Sequence, residues 1–305
     1  MDNLTFLEGG ASHKTISILP IPLSLGSDDH DTANAPKYLL KLGLKEALES
    51  SGLKINVLPE ILISKEVSNT FSDINRIVKG EILKSNKVLG IGGDHAISLG
   101  TIAGAAEAMA GNLGVIWIDA HGDINTHKTS TSGNLHGIVG AALLGLDKTL
   151  ADLVKVKIKP ENILYIGLKD LDQAEIDLIR AHKISVITTL DILENGFSFI
   201  AKSIELLKQK TNHIWISLDI DAIDKEAAPA SAMATSGGLT YREITNLVNY
   251  IGKTSEVIGM DLVEVTPEKD VENKTGKLCL ELISLAFGSK YNWYTEYMSN
   301  HKKSE

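Results

Sequence analysis

The sequence predicts an α/β fold: a single domain over residues 1–305, built on a mostly parallel sheet of about eight strands flanked by helices. Three observations carry that expectation. Short runs rich in Ile, Val and Leu recur along the chain, and most lack strict alternation, as strands covered on both faces do. Segments of helical period lie between them. No low-complexity tract, internal repeat or linker rich in Pro, Gly or Ser divides the chain. Its hydrophobic fraction of 43% and charged fraction of 23% are those of an ordinary globular protein.

The run TISILPIP at 15–22 opens the series. Pro36 then suits the first turn of a helix that continues through Leu39, Leu40, Leu42 and Leu44. KINVLPE at 54–60 is the second run, and Ile74, Ile77, Val78 and Ile82 form the apolar stripe of a following helix. KVLGIGG at 87–93, LGVIWIDA at 113–120, ILYIGL at 163–168, KISVITT at 183–189 and HIWISLDID at 213–221 continue the strands. Thr240 and Glu243 have the spacing of a capping box that starts a helix. EVIGMDLVEV at 256–265 is the last run, and Cys279 sits in an apolar helical pattern as a core residue. Residues 1–12 and 298–305 read as peripheral tails. Strand and helix alternate along nearly the whole length, which argues for one α/β domain. In such sheets the ligand site lies beyond the carboxyl ends of the strands.

Composition narrows the partners. The formal charge of −9 comes without a Lys/Arg block apart from the His301-Lys302-Lys303 tail, so nothing draws nucleic acid or an anionic membrane. One cysteine excludes an intramolecular disulfide and fits a reducing compartment. The start MDNLTFLEGG is acidic where a signal peptide needs basic residues, and no apolar run approaches the ~18 residues of a spanning helix. A cytoplasmic protein is expected.

Four strand ends are polar in a way that the strands are not. They carry Asp94 and His95; Asp119, His121 and Asp123; Asp219, Asp221 and Asp224; and Asp261 and Glu264. A lone Asp at such a place is usually a helix cap or a solvated end. The set asks for more. Residues i, i+2 and i+4 of an extended chain point to one side, so Asp119, His121 and Asp123 converge, as do Asp219 and Asp221. Crowded carboxylates are costly unless a cation neutralises them, and two divalent ions would balance Asp119, Asp123, Asp219 and Asp221. His95 and His121 complete a mixed N/O ligand set that suits Mn²⁺, with Zn²⁺, Co²⁺ and Fe²⁺ as competitors. Two ions roughly 3.5 to 4 Å apart can share one water and lower its pKa towards neutrality, so hydrolysis is the implied chemistry.

A rival reading takes VLGIGGDH as a dinucleotide-binding turn, with Gly90 and Gly92 as its first two glycines and Asp119 as the ribose acid. The third glycine position is His95, and this reading leaves His121, Asp123, Asp219 and Asp221 unexplained.

From about Ile16 to Pro267 the sequence resembles the ureohydrolases, and within them the arginases. The carriers are GGDH at 92–95, DAHGDIN at 119–125, SGNLHG at 132–137, IGLKDLDQAE at 166–175, SLDIDAID at 217–224, GGLTYRE at 237–243 and VEVTP at 263–267. The resemblance implies a three-layer αβα domain that holds two Mn²⁺ ions and cleaves L-arginine to L-ornithine and urea through a metal-bridging hydroxide. One ion would be bound by His95, Asp119, Asp123 and Asp219, the other by His121, Asp119, Asp219 and Asp221, with Asp119 and Asp219 bridging. Asp123 thus belongs to both the metal set and the catalytic set.

The resemblance further assigns His136 as the proton-transferring group and Glu264 as the carboxylate that pairs with the guanidinium. A guanidinium is planar and permanently charged, so one carboxylate can take it bidentately and aim its carbon. Asn125, Ser132 and Asn134 would hold the substrate α-carboxylate, and Asp172 and Glu175 would face its α-amino group. Agmatine, which lacks the carboxylate, gains nothing from the first three, so L-arginine is favoured. Family members are commonly trimers or hexamers, so a homo-oligomer is implied.

The match breaks in one place near the site. Where the family usually reads Gly-Thr-Pro, this chain has Ala232-Met233-Ala234, which removes a hydroxyl close to the reacting guanidinium. Ser231, Thr235 and Ser236 are candidates to replace it. Lys169 stands for the usual Arg, and Ala96 for a common Ser. The departures keep two alternatives open: another ureohydrolase acting on agmatine or a guanidino acid, or a weakly active metal-binding member.

Overall fold

The computed structural model describes residues 14–24 and 30–289; the two expected tails lie outside the described residues. Eight strands form one sheet: β1 (Thr15–Ile21), β2 (Lys54–Val57), β3 (Lys87–Gly92), β4 (Gly114–Ile118), β5 (Ile163–Leu168), β6 (Ser185–Thr188), β7 (Ile214–Asp219) and β8 (Val257–Val263). Their order is β2-β1-β3-β8-β7-β4-β5-β6, and every pairing is parallel. All eight expected runs are therefore strands. The short edges β2 and β6 are partly exposed, whereas β3, β4, β7 and β8 at the centre are buried throughout.

Burial on both faces explains why the runs are continuously apolar. In β4, Ile116 and Ile118 enter one core while Val115 and Trp117 enter the other; in β7, Ile214, Ile216 and Leu218 part from Trp215 in the same way. Among the described residues, the helices Ala35–Lys41, Leu44–Ser50, Thr189–Asn195, Phe197–Lys208, Tyr241–Thr254 and Lys274–Ala286 cover the first face. Val67–Leu83, Ser98–Ala108, Val139–Leu143 and Gln173–His182 cover the second. Each fully buried Ile or Leu contributes on the order of 1.5–3 kcal/mol, so the two cores drive this arrangement. Cys279 is buried in the first core, as its pattern required.

The helix opened by Pro36 is shorter than its leucines suggest. It stops at Lys41, and a second helix starts at Leu44, because Gly43 between them takes φ +96°, a left-handed value that suits glycine. The capping box at Thr240 is present: its hydroxyl accepts from Glu243 N, and the Glu243 carboxylate accepts from Thr240 N. No helix of the described residues is long and apolar enough to cross a membrane.

Candidate functional site

The polar strand ends meet beyond the carboxyl edge of the four central strands. His95 opens a short 3-10 turn after β3, Asp119 follows β4 directly, Asp219 is the last residue of β7, and Glu264 follows β8. His121 and Asp123 stand in the segment after β4, and Asp221 in the turn Ile220–Ala222. Strand alternation aims Asp119: Trp117 and Asp119 point the same way, and the Trp117 indole donates to Asp119 Oδ2 at 2.9 Å. The expected convergence of Asp119, His121 and Asp123 along an extended chain does not hold, because the backbone leaves the strand after Ile118 and Asp123 takes φ +48°; the turn, not the strand, places His121 and Asp123. The His95 ring stacks on that indole, with centroids 4.3 Å apart.

The six histidines and aspartates fall into two overlapping groups. His95 Nδ1 lies 3.0 Å from Asp119 Oδ2, 3.1 Å from Asp123 Oδ2 and 3.3 Å from Asp219 Oδ2. His121 Nδ1 lies 3.1 Å from Asp221 Oδ2 and 3.5 Å from Asp119 Oδ1. Asp119 therefore turns one oxygen to each group. The second Asp219 oxygen accepts from Asp221 N at 2.8 Å. His95 Nδ1 is buried and makes no hydrogen bond, although three carboxylate oxygens surround it. A nitrogen lone pair among carboxylates is a donor set for a cation, so these residues fit a divalent metal.

The electrostatics agree with that fit. Burial opposes the imidazolium of His95, yet Asp119, Asp123 and Asp219 outweigh it and hold its pKa well above the ordinary value. Burial acts likewise on His121, and Asp119 with Asp221 push it up to about 12. Asp119 is held below the usual carboxylate range because the two histidines overcome its desolvation. Burial and then the neighbouring carboxylates raise Asp219 and Asp221.

A cavity of about 530 Å³ opens over the groups. Asp123, Asp219, Asp221 and His121 reach it, as do His136, Glu264, Asn125, Ser132, Asn134, Asp172 and Glu175; His95 and Asp119 lie beneath. Glu264 has φ +63°, and its Oε1 accepts from His95 N at 2.8 Å, which leaves Oε2 unengaged by any hydrogen bond of the described residues. Burial, then Asp94, raises its pKa. Asp172 and Glu175 form the capping box of Gln173–His182, so both already serve the helix. Asn125 gives an amide proton to Asp172 Oδ2 at 2.7 Å and accepts from Thr129 Oγ1 at 2.8 Å.

Sequence reasoning missed Ser130, Thr131 and Asp170 among the lining residues, although the first two belong to the same polar loop. It also missed Trp117, which period-2 alternation before Asp119 would have found. Ala232 and Met233 line the cavity. Ser231, Thr235 and Ser236 are not among the residues that line the cavity. Ser231 is buried with its Oγ accepting from Met233 N, and Lys169 Nζ binds Thr235 Oγ1 and the Ser236 carbonyl. Asp94 and Asp224 are local caps, the first accepting from Ala96 N and the second from Glu226 N and Gly237 N. The glycines of the dinucleotide reading serve packing instead: a Cβ at Gly90 would meet Asp261 Oδ1 at 2.7 Å, and one at Gly92 would meet Ile97 at 2.6 Å.

Comparison with known proteins bears on this site. The model of the family described as "Arginase family" matches residues 14–288. The arginase of Bacillus caldovelox is 33% identical over 297 residues, spanning 91% of this chain and 99% of that protein. The crystal structure of arginase from Bacillus subtilis superposes with a TM-score of 0.87 at 34% identity, covering 91% of this chain and 99% of the other. The formimidoylglutamase structure from Bacillus subtilis gives a TM-score of 0.76 at 25% identity, with 91% and 87% covered.

Proposed function

Because this chain belongs to the arginase family, a family of hydrolases, we propose that it is a binuclear manganese enzyme that cleaves L-arginine to L-ornithine and urea. The observation that carries this reading is the meeting, in one cavity, of a histidine and carboxylate floor fit for cations with Glu264 and His136. His95, Asp119, Asp123 and Asp219 would hold one ion, and His121, Asp119, Asp219 and Asp221 the other. When bound, the pair supplies Lewis acidity and an activated water at neutral pH; Co²⁺, Fe²⁺ and Zn²⁺ suit the same donors.

The chain's own residues do the rest. Glu264 takes the guanidinium with its free Oε2 and the remaining lone pair of Oε1, and so fixes the position of the central carbon. His136 at the cavity wall delivers the proton that the leaving amine needs. Asn125 offers the α-carboxylate its second amide proton, beside Ser132 and Asn134, while Asp172 and Glu175 draw the α-amino group. A substrate without that carboxylate leaves these polar groups unpaired, which disfavours agmatine. Cytoplasmic location and a trimeric or hexameric assembly belong to the same reading.

One observation favours a second reading, a ureohydrolase of different specificity: the wall at Ala232 and Met233 carries no hydroxyl. Urea release by the Mn²⁺-loaded protein, with L-arginine and agmatine assayed side by side at neutral to alkaline pH, separates the two. Urea from arginine alone is expected. Urea from agmatine alone overturns the carboxylate assignment, and urea from neither overturns both substrates.

A further inference from the structure

One buried carboxylate has no part in the chemistry above. Asp261 on β8 is fully buried and does not line the cavity. Its Oδ2 receives three donors: Thr101 Oγ1 at 2.7 Å, Ser98 Oγ at 3.0 Å and Trp215 Nε1 at 3.0 Å. We propose that Asp261 is a positioning residue which, through Ser98 and Ser217, fixes the tautomer of His95 that a metal requires. The proposal rests on the metal reading of the site and not on the substrate.

The direction of each hydrogen bond follows from the one before it. An indole N–H only donates, so Oδ2 is an acceptor, and the single hydroxyl proton of Ser98 is spent on it. Ser98 Oγ lies 3.1 Å from Ser217 Oγ; with the Ser98 proton committed, Ser217 must be the donor between them. Ser217 then has no proton left for His95 Nε2, 2.9 Å away, and can only accept from it. The ring carries its proton on Nε2. Nδ1 is left to face Asp119, Asp123 and Asp219 with a lone pair. Hydrogen bonds of this kind to the far nitrogen of a ligating histidine set its tautomer and orientation. Gly90 on the adjacent strand makes room for the carboxylate, since a Cβ there would meet Asp261 Oδ1.

Substitution can reverse or preserve the direction. In Asp261→Ala the Ser98 proton is released, can turn to Ser217, and lets Ser217 donate to Nε2; His95 then carries its proton on Nδ1, where the ion should bind. In Asp261→Asn the amide oxygen can occupy the place of Oδ2 and accept the same three donors, so the direction survives without the charge.

The test titrates metal-stripped protein with Mn²⁺ alone, by calorimetry. Asp261→Ala is expected to weaken one of the two ions about 10- to 100-fold, the range seen when a ligand's outer partner is lost. Asp261→Asn is expected to stay within about threefold of the parent, since the hydrogen-bond direction is kept. In a Ser98→Ala background, Asp261→Ala should add nothing further to the loss, because the chain is already cut. Ser98→Ala alone leaves Asp261 its other two donors and weakens the same ion, which keeps the test open if Asp261→Ala fails to fold. Equal losses in Asp261→Asn and Asp261→Ala would assign the effect to charge and overturn the proposal, as would full additivity with Ser98→Ala. A parent that binds no Mn²⁺ overturns the metal reading itself, a failure visible before any variant is made.

Discussion

Asp119→Asn tests whether one carboxylate serves two ions. The oxygens of Asp119 are already engaged: Oδ2 accepts from Trp117 Nε1 at 2.9 Å, and Oδ1 from His121 N at 2.7 Å. The amide nitrogen that the substitution introduces must therefore face one of these donors, which costs the metal-free protein about 1–3 kcal/mol as a buried unsatisfied group. The larger effect is on binding. If each ion loses about 100-fold in affinity, then at a Mn²⁺ concentration about 1,000 times the parent Kd the stabilisation per ion falls from about 4.1 to about 1.4 kcal/mol. For two ions that is a loss of about 5 kcal/mol, or about 10 °C of the metal-induced rise in Tm for a chain of this size. Thermal unfolding with and without Mn²⁺, beside elemental analysis after desalting, reads both quantities. His95→Ala is the control, since His95 Nδ1 faces only one group, and it should cost one ion. Two ions retained in Asp119→Asn, or the same single loss in both variants, would refute a bridging role.

Three further outcomes are expected. Met233→Thr restores a hydroxyl at the cavity wall and should raise kcat about 10- to 100-fold, the equivalent of a hydrogen bond of ~1–3 kcal/mol; unchanged steady-state kinetics would show that the lost hydroxyl is not limiting. His136→Asn should lower kcat by roughly 10²- to 10⁴-fold while the protein still binds two Mn²⁺, and a loss of metal instead would remove His136 from the proton-transfer role. Burial, with Asp123 and Asp172, raises Glu175 from 4.5 to about 7. A folded-state pKa above the unfolded value gives stability that is present below about pH 4.5 and lost as pH rises through 7, at most about 3 kcal/mol. In urea unfolding of the metal-free protein, Glu175→Gln should flatten that decline; an unchanged slope between the two pH values would place the titrating group elsewhere.

The strands were legible because each central strand is covered on both faces, so Val115 to Ile118 read as one apolar run whichever core a side chain entered. The ligand residues were legible as polar groups crowded at strand ends, but not through strand alternation: only Asp119 directly continues β4, whereas Asp123 takes φ +48° and Asp221 lies in a 3-10 turn, so the turns beyond the strands bring the groups together. What the spacing cannot say is which strands are neighbours. β3 and β4 are consecutive in the chain, yet β8 and β7 lie between them, so the approach of Asp219 to His95 depends on pairings between strands far apart in sequence. Asp261 was unreadable on the same grounds. It looked like one more polar strand end, but its position in the strand aims it at Trp215, Thr101 and Ser98 behind the site. The cap roles of Asp172 and Glu175 were open to sequence inspection, since Asp and Glu three apart before an apolar helix are a capping box.

The charge distribution makes a last, quantitative demand on metal uptake. With no metal present, His121 is pushed up to about 12 and His95 stands well above its ordinary value, while Asp219, Asp221 and Glu264 are raised by burial and mutual repulsion. His121 therefore carries a proton at neutral pH on the nitrogen that must coordinate, and the ion it binds has to displace it. Every displaced proton makes the affinity change about tenfold per pH unit, falling as pH falls. Mn²⁺ titration of the stripped protein in buffers of different ionisation enthalpy counts those protons directly, and at least one should appear as both sites fill near pH 7. Release of none would mean that His121 enters the free site already neutral.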